Sequence, residues 1–213
     1  MQRTPVAVLG TLAEFHCEPI PYDLNALVQL VTDLRPELLC LDMTGEQWSR
    51  RSFGDVPPEY REALLPLAYQ TDIVVAPIAG AYAPQEPTAA GWRGRFIAHL
   101  RGWLAQLHRA APHADAVNSG VAHWAADMLY EIILLLTDRR TRHAWRAHTR
   151  RLARNALDIV RRDPDATVLI VVNVRHCHHL RRYLRKSRDV CVVPYRQLPA
   201  LQRHDEQAVA VVR

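Results

Sequence analysis

Histidines follow a short, wholly apolar stretch in the last quarter of the sequence. Residues 168–172 read Val-Leu-Ile-Val-Val, and His176, Cys177, His178 and His179 come shortly after them. A run of this length and apolarity predicts a strand that is covered on both faces of a parallel sheet. In such sheets, ligands bind beyond the carboxyl ends of the strands. These residues are therefore the first candidates for chemistry, although a polar cluster after a strand is also typical of a solvated turn.

Polar residues that could bind a metal or transfer a proton also lie at or after the ends of two other predicted strands. Glu14 and His16 follow the first strand, which stops at Gly10, and Asp42 ends the second. If the strands are parallel, all these side chains and His176 meet at one edge of the sheet. Imidazoles with one or two carboxylates are ligands that zinc, manganese or iron accept. The same groups could instead perform metal-free acid–base catalysis, since histidine beside a carboxylate titrates near neutral pH.

The working hypothesis places a reactive water among four side chains. Glu14, His16, Asp42 and His176 would activate that water, either through a divalent metal held by the last three or through a histidine–carboxylate pair. A carboxylate that ends a buried strand needs partners, which favours a site role for Asp42. The structural alternatives are that His176 caps the helix after it and that Asp42 caps the segment 44–48.

The elements that would position these residues alternate between strands and helices. Asp23 is a predicted N-cap for a helix at 24–34, and a second helix is expected at 57–68, kinked or shortened by Pro66. The residues from 11 to 22 are expected to form a loop. Apolar strands are predicted at 5–10, 38–43, 73–77, 167–172, 190–193 and 208–212. The pattern predicts an α/β fold with a central, mostly parallel sheet of five or six strands flanked by helices.

A helical insert is predicted before the late strand, at about 91–163, within a single α/β domain that spans residues 1–213. Its helices are expected at 92–108, 119–137 and 141–162. The middle helix, capped by Ser119, is apolar almost all round and should be buried. The last helix is apolar on one side and carries arginines at four-residue spacing on the other, at positions 142, 146, 150 and 154. Such a row is usually a solvated face.

Composition narrows the possible partners. The net charge of +5 is carried almost wholly by arginine, because Lys186 is the only lysine, and charge alone does not indicate nucleic acid. A nucleic-acid partner is not favoured, yet it stays open.

The sequence has no stretch of about 20 apolar residues, so we expect no membrane span. The cysteines lack CxxC spacing, which disfavours a zinc ribbon or a redox pair. A cytoplasmic location is the expectation, because the N-terminal residues lack a secretory pattern.

Short motifs in a fixed order resemble those of a known superfamily. They are Val8-Leu-Gly-Thr11, Pro36-Glu-Leu-Leu-Cys-Leu-Asp42, Leu152-Ala-Arg-Asn155 and Asn173-Val-Arg-His176. They resemble motifs of the superfamily that groups TraB/PrgY-like, haem-uptake ChaN-like and erythromycin-esterase-like proteins. Much of that superfamily has a histidine where this chain has Ala13, and usually a glutamate where this chain has Asp42.

The resemblance implies a mixed α/β fold with a helical insert and a hydrolytic site at the strand ends, metal-dependent in some members. A small-molecule or peptide substrate would follow, and esterase-like or peptidase-like chemistry. Arg151, Asn155 and Asn173 are candidates for hydrogen bonds to that substrate, with ordinary surface or structural contacts as the alternative. A second hypothesis is a non-catalytic binding or regulatory domain that uses the arginine row to hold an acidic partner or a nucleic acid.

Overall fold

A five-stranded parallel sheet forms the centre of the molecule in a computed structural model that describes residues 3–80, 86 and 88–199. The strand order is β3-β2-β4-β1-β5, and every neighbouring pair is parallel. The strands are β1 Thr4–Thr11, β2 Leu38–Leu41, β3 Val74–Pro77, β4 Val168–Asn173 and β5 Val190–Val193. The predicted α/β fold is thereby confirmed. The sixth predicted strand, 208–212, lies outside the described residues.

The two central strands explain why their sequences are almost purely apolar. β1 pairs with β4 in the register Val8↔Ile170 and Leu9↔Val171. Because side chains alternate between the faces of a strand, Leu9 and Val171 enter one core while Val8 and Ile170 enter the core on the other face. Each buried aliphatic side chain contributes about 1.5–3 kcal/mol relative to an exposed one. Burial on both faces fixes the register of these strands.

Helices cover both faces of the sheet. The helices outside the insert are α1 Leu24–Leu34, α2 Gly45–Ser49, α3 Leu65–Tyr69 and α8 Val174–Leu184. Asp23 caps α1 as predicted, since its Oδ1 accepts the Ala26 N–H at 2.8 Å. Two expectations were wrong in detail. The helix expected at 57–68 is a π-helix, Glu59–Leu64, followed by α3. The loop expected at 11–22 contains a 3-10 helix, Ala13–Cys17.

The described residues between β3 and β4 form helices and no strand. These helices are α4 Gly91–Arg109, α5 Ala114–Asn118, α6 Gly120–Leu136 and α7 Arg139–Arg162. The short α5 was not predicted. Ser119 precedes α6, but its hydroxyl bonds to the Asp115 carbonyl at 3.0 Å instead of capping the helix. No helix in the described part of the chain has the length and apolarity needed to cross a bilayer.

The buried and exposed faces of α7 match the prediction from sequence, whereas those of α6 do not. α7 buries Trp145 and Leu152 and exposes Arg146, Arg150 and Arg154, as its sequence pattern indicates. The expectation that α6 is buried all round was wrong. Four large apolar side chains of α6 are between 44% and 83% exposed, namely Val121, Trp124, Met128 and Leu135. A helix in the outer layer of a protein has one face that contacts no other element. When its sequence is apolar on all sides, the sequence does not show which face is exposed.

Candidate metal centre

Asp42, His148 and His176 form a compact group at the carboxyl edge of the sheet. One potential ligand atom from each lies within 4.8 Å of the other two. His148 Nε2 and Asp42 Oδ2 are 3.1 Å apart. Zinc binds such atoms at about 2.0–2.2 Å, so neighbouring ligands of one tetrahedral ion lie roughly 3–3.5 Å apart. The group could therefore hold a metal ion after small movements.

Three elements bring these side chains together. β2 and β4 are neighbours, with Leu41 beside Val171, so the residues that follow them reach the same edge. Asp42 comes directly after β2, and His176 lies in the first turn of α8, which begins where β4 ends. His148 belongs to the buried face of α7, which packs against α8. The parallel sheet thus supplies two members and the insert supplies the third.

The His176 imidazole is held in one orientation and stays neutral. Thr149 Oγ1 donates to the Trp145 carbonyl at 3.2 Å, so its lone pair accepts the Nδ1–H of His176 at 2.8 Å. The Trp145 ring stacks on the imidazole with centroids 4.7 Å apart. Burial above all, then the charges of Arg175, His148 and His179, holds the pKa of His176 well below its ordinary value. A neutral ring with its proton on Nδ1 presents Nε2 as a ligand atom.

His148 carries a buried nitrogen that lacks a hydrogen-bond partner. The residue is 5% exposed. Its Nε2 lies against Asp42, whereas its Nδ1 has no partner among the described residues. Leaving a buried polar atom unsatisfied costs about 1–3 kcal/mol. The nitrogen that faces the Asp42 carboxylate is Nε2, so Nε2 is the atom of His148 that is placed to bind a group held at this site.

A cavity of about 1140 Å³ adjoins the group and is lined by Asp42, His148 and His176. Leu104 from α4 and Ile133 from α6 form part of its wall, so the insert roofs the site. Pockets that bind small molecules commonly have volumes of about 300–1,000 Å³. The cavity is therefore large enough for a small molecule or a short peptide segment.

His16 lies outside this group, although it was one of the expected metal ligands. Its Nε2 accepts the Leu12 N–H at 2.9 Å, and its Nδ1–H donates to the Tyr22 carbonyl at 2.8 Å. Burial lowers the pKa of His16 to about 4, against the opposing effects of the Tyr22 carbonyl and the Asp23 charge. Both ring nitrogens thus hold the backbone after β1. The structure brings His148 to Asp42 and His176 instead, and the side chain of Glu14 lies outside what the structure describes.

The expected substrate-binding residues lie in different surroundings. Asn155 Nδ2 donates to the Ile78 carbonyl at 2.8 Å, which anchors the chain after β3. The Arg151 side chain lies against Gly80, where any Cβ would collide with it. Asn173 is the member of the three that lines the cavity.

Asn173 and Thr44 account for the two helix caps in this region. Asn173 Oδ1 accepts the Arg175 N–H at 3.1 Å and so caps α8. Thr44 forms a capping box with Gln47 at the start of α2. The alternatives in which His176 and Asp42 serve as these caps are therefore wrong, and their side chains are available to the site.

Sequence reasoning missed three buried polar residues near the cavity. His148 and Thr149 interrupt the apolar stripe of α7 formed by Trp145 and Leu152, and polar residues in such a stripe were the available signal. Glu59 is fully buried, and its Oε1 accepts the Thr11 hydroxyl at 2.8 Å. Nothing in the sequence around Glu59 indicates that its side chain points inward.

Comparisons with protein-family models, with curated proteins and with solved structures gave no match. The functional assignment therefore depends on the site itself. Fold and site define an α/β protein with a histidine–aspartate–histidine group that could hold a metal ion, located where the strands of the parallel sheet end.

Proposed function

We propose that the protein is a divalent-metal-dependent hydrolase that cleaves an ester or peptide bond in a small-molecule or peptide substrate. The observation that carries this proposal is the group of Asp42, His148 and His176 on the wall of the cavity. Two histidines and one carboxylate are a ligand set of catalytic zinc sites, which keep a further position open for water or substrate. Manganese and iron accept the same ligand types.

A bound divalent ion would supply Lewis acidity and a water of lowered pKa. The protein's own residues provide the rest. Thr149 and Trp145 hold the ring of His176, and Asp42 contributes the negative charge of the ligand set. Leu104 and Ile133 present apolar surface to the cavity, which limits competing water around the substrate.

The proposal includes membership of the TraB/PrgY-like, ChaN-like and erythromycin-esterase-like superfamily as a divergent member. Support comes from the placement of its motif residues: Asp42 and His176 lie together, and Asn155 anchors the chain that leaves β3 nearby. We also propose a cytoplasmic location. The fully buried thiols of Cys40 and Cys177, which form no disulfide, fit a reducing compartment.

Metal analysis and activity measurements test the proposal together. Protein purified without chelators should contain about one divalent ion per chain and should hydrolyse members of an ester and peptide panel. His148→Ala and His176→Ala should lose both the ion and the activity. His143→Ala, an exposed histidine on the same helix, is the control and should keep both. A protein with no metal affinity and no hydrolysis, or one whose activity survives both ligand substitutions, would refute the proposal.

A binding domain is the second candidate, and the exposure of Arg146, Arg150 and Arg154 on α7 favours it. These guanidinium groups could hold an acidic protein or a nucleic acid. Binding to heparin or duplex DNA should then weaken steeply with salt and weaken further in Arg146→Gln/Arg150→Gln. Arg95→Gln on α4 is the control. Absence of polyanion binding, or binding that salt does not affect, would exclude this candidate.

A further inference from the structure

Two arginines meet one carboxylate at the rim of the metal-site cavity. Arg175, next to His176 in α8, forms an ion pair with Glu86. Arg101 of α4 donates to the same carboxylate at 3.1 Å. All three residues line the cavity. The Glu86 carboxylate thus occupies a position where two guanidinium groups converge beside the candidate metal ligands.

Stability does not explain this arrangement well. The Glu86 side chain is 59% exposed and that of Arg101 is 39% exposed. Ion pairs with this much exposure stabilise a fold very little, because water solvates the separated charges. Guanidinium groups match the geometry of carboxylate and phosphate, which makes the position suited to an oxyanion.

Arg175 links this position to the metal group. Its Nε donates to His176 Nε2 at 3.3 Å, a long hydrogen bond that uses the lone pair a metal ion requires. When His176 binds an ion, the Arg175 Nε–H loses its acceptor and needs another. A substrate group on the metal side of Arg175 would supply that acceptor through Nε and Nη2, while an oxyanion in the position of the Glu86 carboxylate contacts Nη1 on the other edge of the guanidinium group.

We propose that Arg101 and Arg175 bind a phosphate or carboxylate group of the substrate and that the Glu86 carboxylate occupies this position until the substrate displaces it. The inference rests on the proposed hydrolase function and names the substrate class as anionic esters or peptides. The anionic group lies next to the bond that is cleaved, since Arg175 adjoins both the oxyanion position and His176.

A matched pair of esters tests the substrate class. The metal-loaded protein should cleave p-nitrophenyl hydrogen succinate with a kcat/KM about tenfold or more above that of p-nitrophenyl butyrate, which has the same length and no charge. Arg101→Gln should remove most of this preference, whereas Arg95→Gln, an exposed position on the same helix, should retain it. Equal kcat/KM values for the two esters in the unmodified protein would overturn the inference and leave the hydrolase proposal intact.

Calorimetric titration with inorganic phosphate, and separately with succinate, measures oxyanion binding without turnover. Whichever oxyanion the site prefers should bind about tenfold more weakly to Arg101→Gln than to Arg95→Gln. It should bind about two- to fivefold more tightly to Glu86→Gln, which removes the competing charge. Oxyanion binding that depends on Arg101, in a protein that binds no metal and cleaves neither these esters nor any member of the ester and peptide panel, would refute the hydrolase proposal alone. Identical affinities in all variants would overturn the oxyanion site.

Discussion

The Thr149 side chain determines which nitrogen of the His176 ring can bind a metal. The ring is buried, and the Thr149 hydroxyl accepts a hydrogen bond from Nδ1–H at 2.8 Å. Without that acceptor, only the long hydrogen bond from Arg175 Nε would disfavour a proton on Nε2, the atom that must bind a metal. A residue that contacts a ligand's second nitrogen commonly changes metal affinity strongly, because it fixes tautomer and orientation together.

Thr149→Val tests this dependence directly. Valine keeps the volume and removes the acceptor, so zinc affinity should fall roughly 10- to 100-fold, measured by competition with a chromophoric chelator. Thr32→Val is the matched control, because Thr32 also bonds to the carbonyl four residues earlier, at 2.8 Å, but lies on exposed α1 surface. Equal zinc affinity in both variants would show that Thr149 does not orient His176.

The sequence indicated two of the three residues in the candidate metal group. Asp42 and His176 could be predicted because each follows an apolar strand, and parallel strands bring their ends together. His148 lies on a helix 106 residues after Asp42, and no local pattern relates the two. The expectation for His16 was based on residue type and position. In the structure the Leu12 N–H and the Tyr22 carbonyl take up both nitrogens of the ring.

The first turn of a helix that follows a strand fixes where its side chains lie relative to the sheet. α8 begins at the end of β4, and its Asn173 cap fixes the first turn that contains His176. α1 begins with the same kind of cap at Asp23, and this helix carries none of the three residues of the metal group. The two caps therefore offer a matched comparison of a helix start inside the site with one outside it.

Asn173→Ala and Asp23→Ala should each lower the free energy of unfolding by about 1 kcal/mol, because each leaves a helix N–H without its cap. Only Asn173→Ala should also weaken zinc binding, since it loosens the turn that carries His176. Urea denaturation and zinc titration of both variants provide the measurements. Zinc affinity that is unchanged in Asn173→Ala would contradict a positioning role for the α8 cap.

Elements with strong periodicity were predictable, whereas short or irregular ones were not. α1 and the buried face of α7 followed from apolar spacing and from capping residues. α5 has only five residues, which is too short for a periodic signal. The π-helix at 59–64 depends on how Tyr60 and Leu64 fit the core, and tertiary packing of that kind leaves no local pattern.

The whole molecule should lose stability as the pH falls, because buried histidines must stay neutral in the folded state. Burial lowers the pKa of His16 from 6.5 to about 4. Between these values the unfolded chain binds a proton that the folded chain excludes, so the stability present above pH 6.5 is lost as the pH falls toward 4. For His16 the loss is about 3 kcal/mol.

Urea denaturation across this pH range measures the effect. His16→Asn should be less stable than the unmodified protein at neutral pH and should lose less stability on acidification. His143→Gln changes an exposed histidine and should keep the pH dependence of the unmodified protein. A pH dependence that is the same in His16→Asn would assign the acid sensitivity to other groups, such as His108, whose pKa burial also lowers to about 4.

The architecture of the described residues could be predicted from the alternation of strands and helices, but the residues of the insert that line the roof of the site could not. Strands that are joined through helices can run parallel, and parallel strands have their carboxyl ends at one edge. How α4 and α6 lie over that edge depends on packing among helices, of which the sequence shows only apolar faces. The cavity that they enclose determines which substrate can reach Asp42, His148 and His176.

Anomalous X-ray scattering at the zinc edge, from crystals of protein loaded with zinc, tests metal binding most directly. The geometry predicts one strong peak at about 2.0–2.2 Å from a nitrogen of His148, a nitrogen of His176 and an oxygen of Asp42, and no such peak in His176→Ala. A structure without a peak between these residues, or with zinc bound elsewhere on the chain, would contradict a metal centre at this edge of the sheet.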